Sequence, residues 1–185
     1  DVYKRQSARH AKDLANKLLT LERIKTDQAD AIEAPINVKS VVSSVADAFA
    51  PAAEAEHIEL TTRLSPDPAT IVADEVMVRE AVLNLADNAL RHGGKDLTSI
   101  DISVARENGA VRVTVEDDGI GVAEENIPVV LSRFGQASPG EGSGLGLSIA
   151  EAVAERHGGK LELASLKPGL SVSLRFPAGN QRPMA

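Results

Sequence analysis

Apolar residues recur along this chain with two different periods. Between Ser7 and about Asp30 they fall at helical spacing. Ala11, Leu14, Leu18 and Leu21 form a stripe that Leu19 and Ile24 widen, and charged residues fill the other faces. Such a stripe suits a terminal helix folded onto its own domain, and it suits equally one strand of a helical bundle or dimer. It lasts about two heptads, too short to define a coiled coil. Asp1 to Gln6 continue no pattern and are set aside as a non-native or disordered leader.

Pro35 marks a boundary, because proline biases the residue before it away from helix. Asn37 to Ala53 then reads as a strand end followed by a helix, with Val38, Val41, Val42, Val45 and Phe49 on one face. Ile58 to Leu64 and Thr70 to Ala73 read as strands around the turn Ser65-Pro66-Asp67-Pro68. Asp74 is a good N-cap for a helix running to His92, which Gly93-Gly94 ends. The period then changes to two. Ile100–Arg106 and Val111–Glu116 alternate as strands around Asn108-Gly109, a strong hairpin signal. Residues 119–144 are rich in glycine and read as loop. Gly146 to His157 reads as a helix stopped by Gly158-Gly159, and Leu161–Ala164 with Leu170–Phe176 as a second hairpin. Helices interleaved with adjacent hairpins, and no internal repeat, predict an α/β two-layer sandwich: a mixed, largely antiparallel open sheet covered on one face by helices. Residues 35–177 would form this domain, and 178–185 a disordered tail.

Composition narrows the chemistry. Aromatic residues are 2% of 185, so the core must be built from Ala, Val, Ile and Leu. There is no cysteine, which removes disulfides, thiolate metal sites and cysteine catalysis. The net charge is −7, and the first thirty residues are net basic, so the body is more acidic still. An acidic body argues against a nucleic-acid surface. No apolar run approaches the roughly 18 residues of a spanning helix, and no signal peptide is evident.

Three features carry chemistry. On the helix 74–92, Glu80, Asn84, Asn88 and Arg91 fall within about 80° of one another, forming a polar stripe opposite Val78, Val82, Leu85 and Ala89. Asparagine oxygens suit a hard cation such as Mg²⁺, and an arginine suits phosphate; the same stripe also fits a merely solvated face. Next, Glu116-Asp117-Asp118-Gly119-Ile120-Gly121 follows a strand. A carboxylate there can accept from a ligand amine where glycines admit close backbone approach, or it can belong to a polar turn. Last, Gly142-Ser143-Gly144-Leu145-Gly146-Leu147 opens a helix, where free amides bind phosphate. It lacks the Gly-Lys-Ser/Thr ending of a P-loop and sits too late for a dinucleotide fingerprint.

The order and spacing of the three resemble the GHKL ATP-binding superfamily, and the wording is similar to a bacterial sensor histidine kinase of two-component systems. EAVLNLADNALRHG resembles its N box, EDDGIGV its G1 box, SRFGQ its F box, and GSGLGLSIAEAVAERHGG its G2 box with the following helix. The resemblance spans residues 35–177 as a catalytic domain of the Bergerat-type ATP-binding fold. The helix 7–30 resembles the end of the dimerisation domain's second helix.

The resemblance implies ATP and Mg²⁺ as cofactors. Asn88 would coordinate Mg²⁺, with Asn84 close by acting through water, and Arg91 would approach the phosphates. Asp118 would accept from the adenine amine, with Gly119 and Gly121 lining the base pocket. Gly142, Ser143, Gly144, Leu145, Gly146 and Leu147 would hold the phosphate side. Residues 122–141 would be a mobile lid carrying Arg133 and anchored by Phe134. The F box departs from the family at Leu131, usually a second phenylalanine, and at Gln136, often basic, which leaves Arg133 as the lid's cation between Val122 and Gly142. Hydrolytic relatives place a glutamate general base where this chain has Asn84, which favours phosphotransfer to a histidine. None of His10, His57, His92 or His157 is followed by an acidic residue. The implied acceptor therefore lies on a dimerisation domain largely outside this chain, and a binding module without turnover, or a GHKL serine kinase or ATPase, is the alternative. Implied partners are that domain, a response-regulator receiver domain and a second copy in a homodimer, with no nucleic acid and no membrane contact by this chain. The implied location is the cytoplasmic part of an inner-membrane sensor.

Overall fold

A computed structural model describes residues 14–24, 33–132 and 144–179. The predicted leader, the ends of the N-terminal helix, the lid from 133 to 143 (with Arg133, Phe134, Gln136, Gly142 and Ser143) and residues 180–185 lie outside the described residues.

Residues 14–24 form helix α1. A short ribbon pairs β1 (Ala34–Asn37) antiparallel with β3 (Thr70–Ala73). Pro35 sits within β1, opposite Val72. The main sheet has the order β2-β4-β5-β7-β6, with β2 (Glu59–Leu64), β4 (Ser99–Glu107), β5 (Ala110–Asp117), β6 (Lys160–Ser165) and β7 (Leu170–Pro177). β2 runs parallel to β4 and the other pairings are antiparallel. Helices α2 (Val38–Ala55), α3 (Glu75–His92) and α5 (Gly146–Arg156) cover one face. Between β5 and α5 lie a single 3₁₀ turn (Glu124–Asn126) and the short helix α4 (Ile127–Leu131), in a stretch read from the sequence as loop.

Local chemistry sets these boundaries. Asn37 caps α2 by accepting from the Lys39 amide at 3.1 Å, and Asp74 caps α3 by accepting from Met77 at 3.0 Å. Asn108 and Gly109 both have positive φ, 49° and 74°, as a two-residue type I′ hairpin requires. Strand alternation divides the sheet. Ile100, Ile102 and Val104 of β4, Val111, Val113 and Val115 of β5, and Val172, Leu174 and Phe176 of β7 point into the helix layer and are buried. The other face is polar: the Thr114 and Ser173 hydroxyls lie 3.1 Å apart, Arg63 pairs with Asp101 at 2.7 Å, and Arg112 with Glu162 at 3.1 Å. An antiparallel sheet tolerates such one-sided burial. α5 is buried nearly all round, so it carries Ala150, Ala152 and Ala154 where larger residues would not fit.

Both terminal segments are tied to the domain. The α1 stripe packs inward: Leu21 is wholly buried, Ile24 nearly so, and Leu14 and Leu18 rest against the same core. Arg156 of α5 donates to the Ile24 carbonyl at 3.1 Å, holding the end of α1. Of the two uses the stripe permits, the structure takes the folded-back one, with Leu21 and Ile24 joined to the domain's own core. The chain also stays ordered past 177. The Ala178 amide donates to Gly109 and the Gly179 amide to Thr70, each at 2.9–3.0 Å, so the expected disordered tail does not begin at 178.

Docking of α1 has a direct test. Leu21→Ala should lower stability by about 2–5 kcal/mol, while Leu19→Ala, on the exposed side, should change it by less than about 0.5 kcal/mol. Urea unfolding measures both, and equal, negligible effects would mean that α1 is not docked.

Candidate functional site

The polar stripe of α3 is partly covered. Glu80, Asn84 and Asn88 are half-buried while Val78, Val82, Leu85 and Ala89 face the core, as the 3.6-residue period requires. The Asn84 amide nitrogen donates to the Glu80 carbonyl one turn back, at 2.9 Å, which leaves its Oδ1 as the outward acceptor. That oxygen faces α5: a Cβ on Gly146 would sit 3.5 Å from it. The first turn of α5 thus meets the middle of α3. Among the described residues no side chain caps α5, and Gly144 just before it has φ of 63°. A helix N-terminus presents amide donors suited to an anion. Leu145 and Leu147 are buried in the core, which turns their side chains away from a ligand.

Glu80 carries a carboxyl that burial pushes upward, opposed by the Lys17 ammonium of α1. Arg91 is exposed and pairs with Asp87, Nε donating to both carboxylate oxygens at 2.8 Å. The structure therefore separates Arg91, turned along the helix surface to Asp87, from the half-buried Asn84 and Asn88.

The two adjacent aspartates at the end of β5 occupy opposite environments. Asp117 continues the alternation of Val111, Val113 and Val115, so its side chain points into the helix layer and is 9% exposed. Its Oδ1 accepts from the Gly119 amide at 3.0 Å. Burial pushes this carboxyl upward, against the pull of the Gly119 and Leu170 amides. Asp118 lies beyond the pleat and turns to the start of β4. Oδ1 accepts from the Thr98 and Ser99 amides at 2.8 and 2.9 Å, and Oδ2 from the Thr98 hydroxyl and from Ser99 Oγ at 2.9 Å. Burial raises this carboxyl too, but the four hydrogen bonds outweigh it and hold Asp118 well below the usual carboxylate range. The acceptor sites of Asp118 are thus used by the protein, and the carboxylate facing the helix layer is Asp117. The signal was the parity of the strand, obscured because β5 runs one residue further than its apolar pattern.

The glycines after these aspartates serve contact. A Cβ on Gly119 would come within 2.2 Å of the Gly93 carbonyl, and the Ile120 amide donates to that carbonyl at 2.8 Å. Gly121, at φ 66°, abuts the Gly169 carbonyl. The end of α3, the end of β5 with Asp117 and the β6–β7 turn therefore meet, with Asn88 and then Asn84, which adjoins the first turn of α5, further back along α3. Thr98, Ser99, Gly93 and Gly169 were not singled out by sequence reasoning, since their roles arise from neighbours remote in the chain.

This arrangement has known counterparts. The family model for histidine kinase-, DNA gyrase B- and HSP90-like ATPases matches residues 73–180, more than half the chain. The chain belongs to this family. Among its relatives, the sensor histidine kinase YkoH of Bacillus subtilis (strain 168) is 30% identical over 184 residues, a match covering 92% of this chain and 37% of YkoH. Full-length ShkA, crystallised in complex with AMPPNP, superposes with a TM-score of 0.81 at 28% identity, over 97% of this chain and 38% of ShkA. The ATP binding domain of PrrB from Mycobacterium tuberculosis gives a TM-score of 0.63 at 29% identity, over 80% of this chain and 98% of that domain. The chain spans about a third of the length of the curated relatives it matches. Its architecture is the helix-covered, largely antiparallel sandwich of histidine kinase ATP-binding domains, as its pattern predicts. Among the described residues, no helix is long and apolar enough to cross a membrane.

The burial of Asp117 sets a sign for stability. A carboxyl whose pKa is higher folded than unfolded costs stability once the unfolded chain's carboxyl ionises, so the cost is present at neutral pH and vanishes below the ordinary carboxylate range. Asp117→Asn should therefore raise Tm at pH 7, and the gain should shrink toward pH 3. A lowered Tm at pH 7 would show that the charge is compensated by the fold.

Proposed function

We propose that the chain is the ATP-binding catalytic domain of a sensor histidine kinase, transferring the γ-phosphoryl group of Mg·ATP to a histidine on a dimerisation domain. The observation that carries this reading is the meeting of Asn84 and Gly146. It sets the Asn84 amide oxygen against the first turn of α5, with Asn88 one turn further along α3, so that an oxygen acceptor for a hard cation lies beside a helix N-terminus suited to phosphate. The chemistry such a cation would supply is neutralisation of the charge that develops in transfer. Asn88 would hold the cation, with Asn84 Oδ1 alongside. The amides from Gly144 to Leu147 would hold the phosphates. Arg91 lies nearly one turn beyond Asn88 as their cation, exchanging Asp87 for phosphate, and residues 122–141 would close over the site as its lid.

Asp117, not Asp118, would take the adenine amine. Guanine offers an oxygen acceptor at that position, and two acceptors facing each other would leave a buried charge unpaired, at a cost of about 1–3 kcal/mol. That corresponds to roughly tenfold preference for ATP. Asn84, where a general base would stand in hydrolytic relatives, cannot take a proton, whereas an imidazole acceptor needs no such base there. His157 is unsuited to act as acceptor: its Nε2 accepts from the Asp74 amide at 3.1 Å and its Nδ1 lies 2.7 Å from the Val153 carbonyl. The whole kinase would work as a homodimer and pass its phosphoryl group to a response-regulator receiver domain, and it would stand on the cytoplasmic side of a membrane sensor.

Two outcomes are expected. In calorimetry, Asn88→Ala should weaken Mg·ATP about tenfold or more while changing metal-free ATP little; equal losses would remove Asn88 from the metal site. With γ-labelled ATP, the chain should leave itself unlabelled and should produce acid-labile phosphohistidine on a dimerisation domain added in trans. Self-labelling abolished by His10→Gln would make it a self-contained kinase, and binding without transfer in trans would favour a regulatory module.

A further inference from the structure

We infer that Asp118 is a positioning residue for base recognition: by stapling the loop after β5 to the start of β4, it aims Asp117 into the helix layer and so sets the base preference of the site. The inference rests on the reading that Asp117 meets the base.

Four donors converge on one carboxylate. The Thr98 and Ser99 amides reach Oδ1, and their two hydroxyls reach Oδ2. Thr98 and Ser99 stand where β4 begins, next to where β5 ends, and the Asp118 amide itself leans on the Ser99 carbonyl at 3.4 Å. Because consecutive side chains leave a strand on opposite sides, anchoring residue 118 to the neighbouring strand fixes the rotation of the backbone that carries Asp117. Downstream the same loop is pinned again, by Gly119 and Ile120 on Gly93 and by Gly121 on Gly169. Without the Asp118 staple, Asp117 would keep its Gly119 contact and lose the fixed direction of its carboxylate. Asparagine can keep much of the staple, since its Oδ1 accepts from the two amides and its N–H₂ group donates to the two hydroxyl oxygens, whereas alanine removes all four bonds.

The experiment compares ATP and GTP affinity, by calorimetry on the full chain, in the wild type, Asp117→Asn, Asp118→Ala, Asp118→Asn and Thr98→Val, with Tm measured for each. A purely structural role would lower Tm and weaken ATP and GTP together, leaving their ratio unchanged. The positioning role predicts that the ratio falls at least threefold in Asp118→Ala, and by less in Asp118→Asn, which can still bridge the two amides and the two hydroxyls, and in Thr98→Val, which removes one hydroxyl bond. A wild-type preference that Asp117→Asn abolishes but both Asp118 variants retain would overturn the positioning role and leave the Asp117 reading standing. No preference in the wild type, or one that survives Asp117→Asn, would overturn both. Should the Asp118 variants fail to fold, an unchanged ratio in folded Thr98→Val would overturn the positioning role.

Discussion

The contact between the backbones of Gly93 and Gly119 is the constraint on which the rest of the site depends. It joins the last turn of α3 to the loop after β5 with no side chain between them, and the Ile120 amide seals it on the Gly93 carbonyl. Any Cβ at 119 would force the helix layer off the sheet at this end. The close approach brings the end of the helix that carries Asn84 and Asn88 against the end of the strand that carries the buried Asp117. Gly121 on Gly169 repeats the device: a residue without a side chain lets main chains from different elements come close.

Two neighbouring aspartates show how position, not residue type, assigns a role. Asp117 is held in apolar surroundings with few donors, so its charge is costly and available to a partner. Asp118 is held by four donors, so its charge is comfortable and already spent on the fold. A buried group kept in an unfavourable charge state is the usual mark of a functional position, and a fully hydrogen-bonded one the mark of a structural position. Two adjacent carboxylates thus sit in opposite environments within two residues of backbone.

Helix α1 illustrates a related economy. Its leucine stripe has the spacing of a bundle seam, yet in this chain it closes the core beside α5, with Arg156 holding its last carbonyl. Lys17 of α1 bears on Glu80, one turn before Asn84, so the helix also adjoins the polar stripe of α3 electrostatically. An amphipathic stripe specifies that a face must be buried without specifying against what.

Much of this was legible in the residues. Period and caps placed the strands and helices, because capping at Asn37 and Asp74 and the Asn108-Gly109 turn depend on groups within a few residues of one another. The order of the asparagine helix, the Asp-x-Gly-x-Gly turn and the glycine-opened helix was enough to identify the family. What the chain alone left open was every choice between two faces or two partners: the destination of the α1 stripe, the hold on Ala178 and Gly179, Arg91 turning to Asp87, and which aspartate looks inward. The last hinged on whether β5 ends at Glu116 or at Asp117, since one residue reverses the face. The pairing of Asp117 with Leu170 on β7 carries the strand one step further and points that carboxylate into the core.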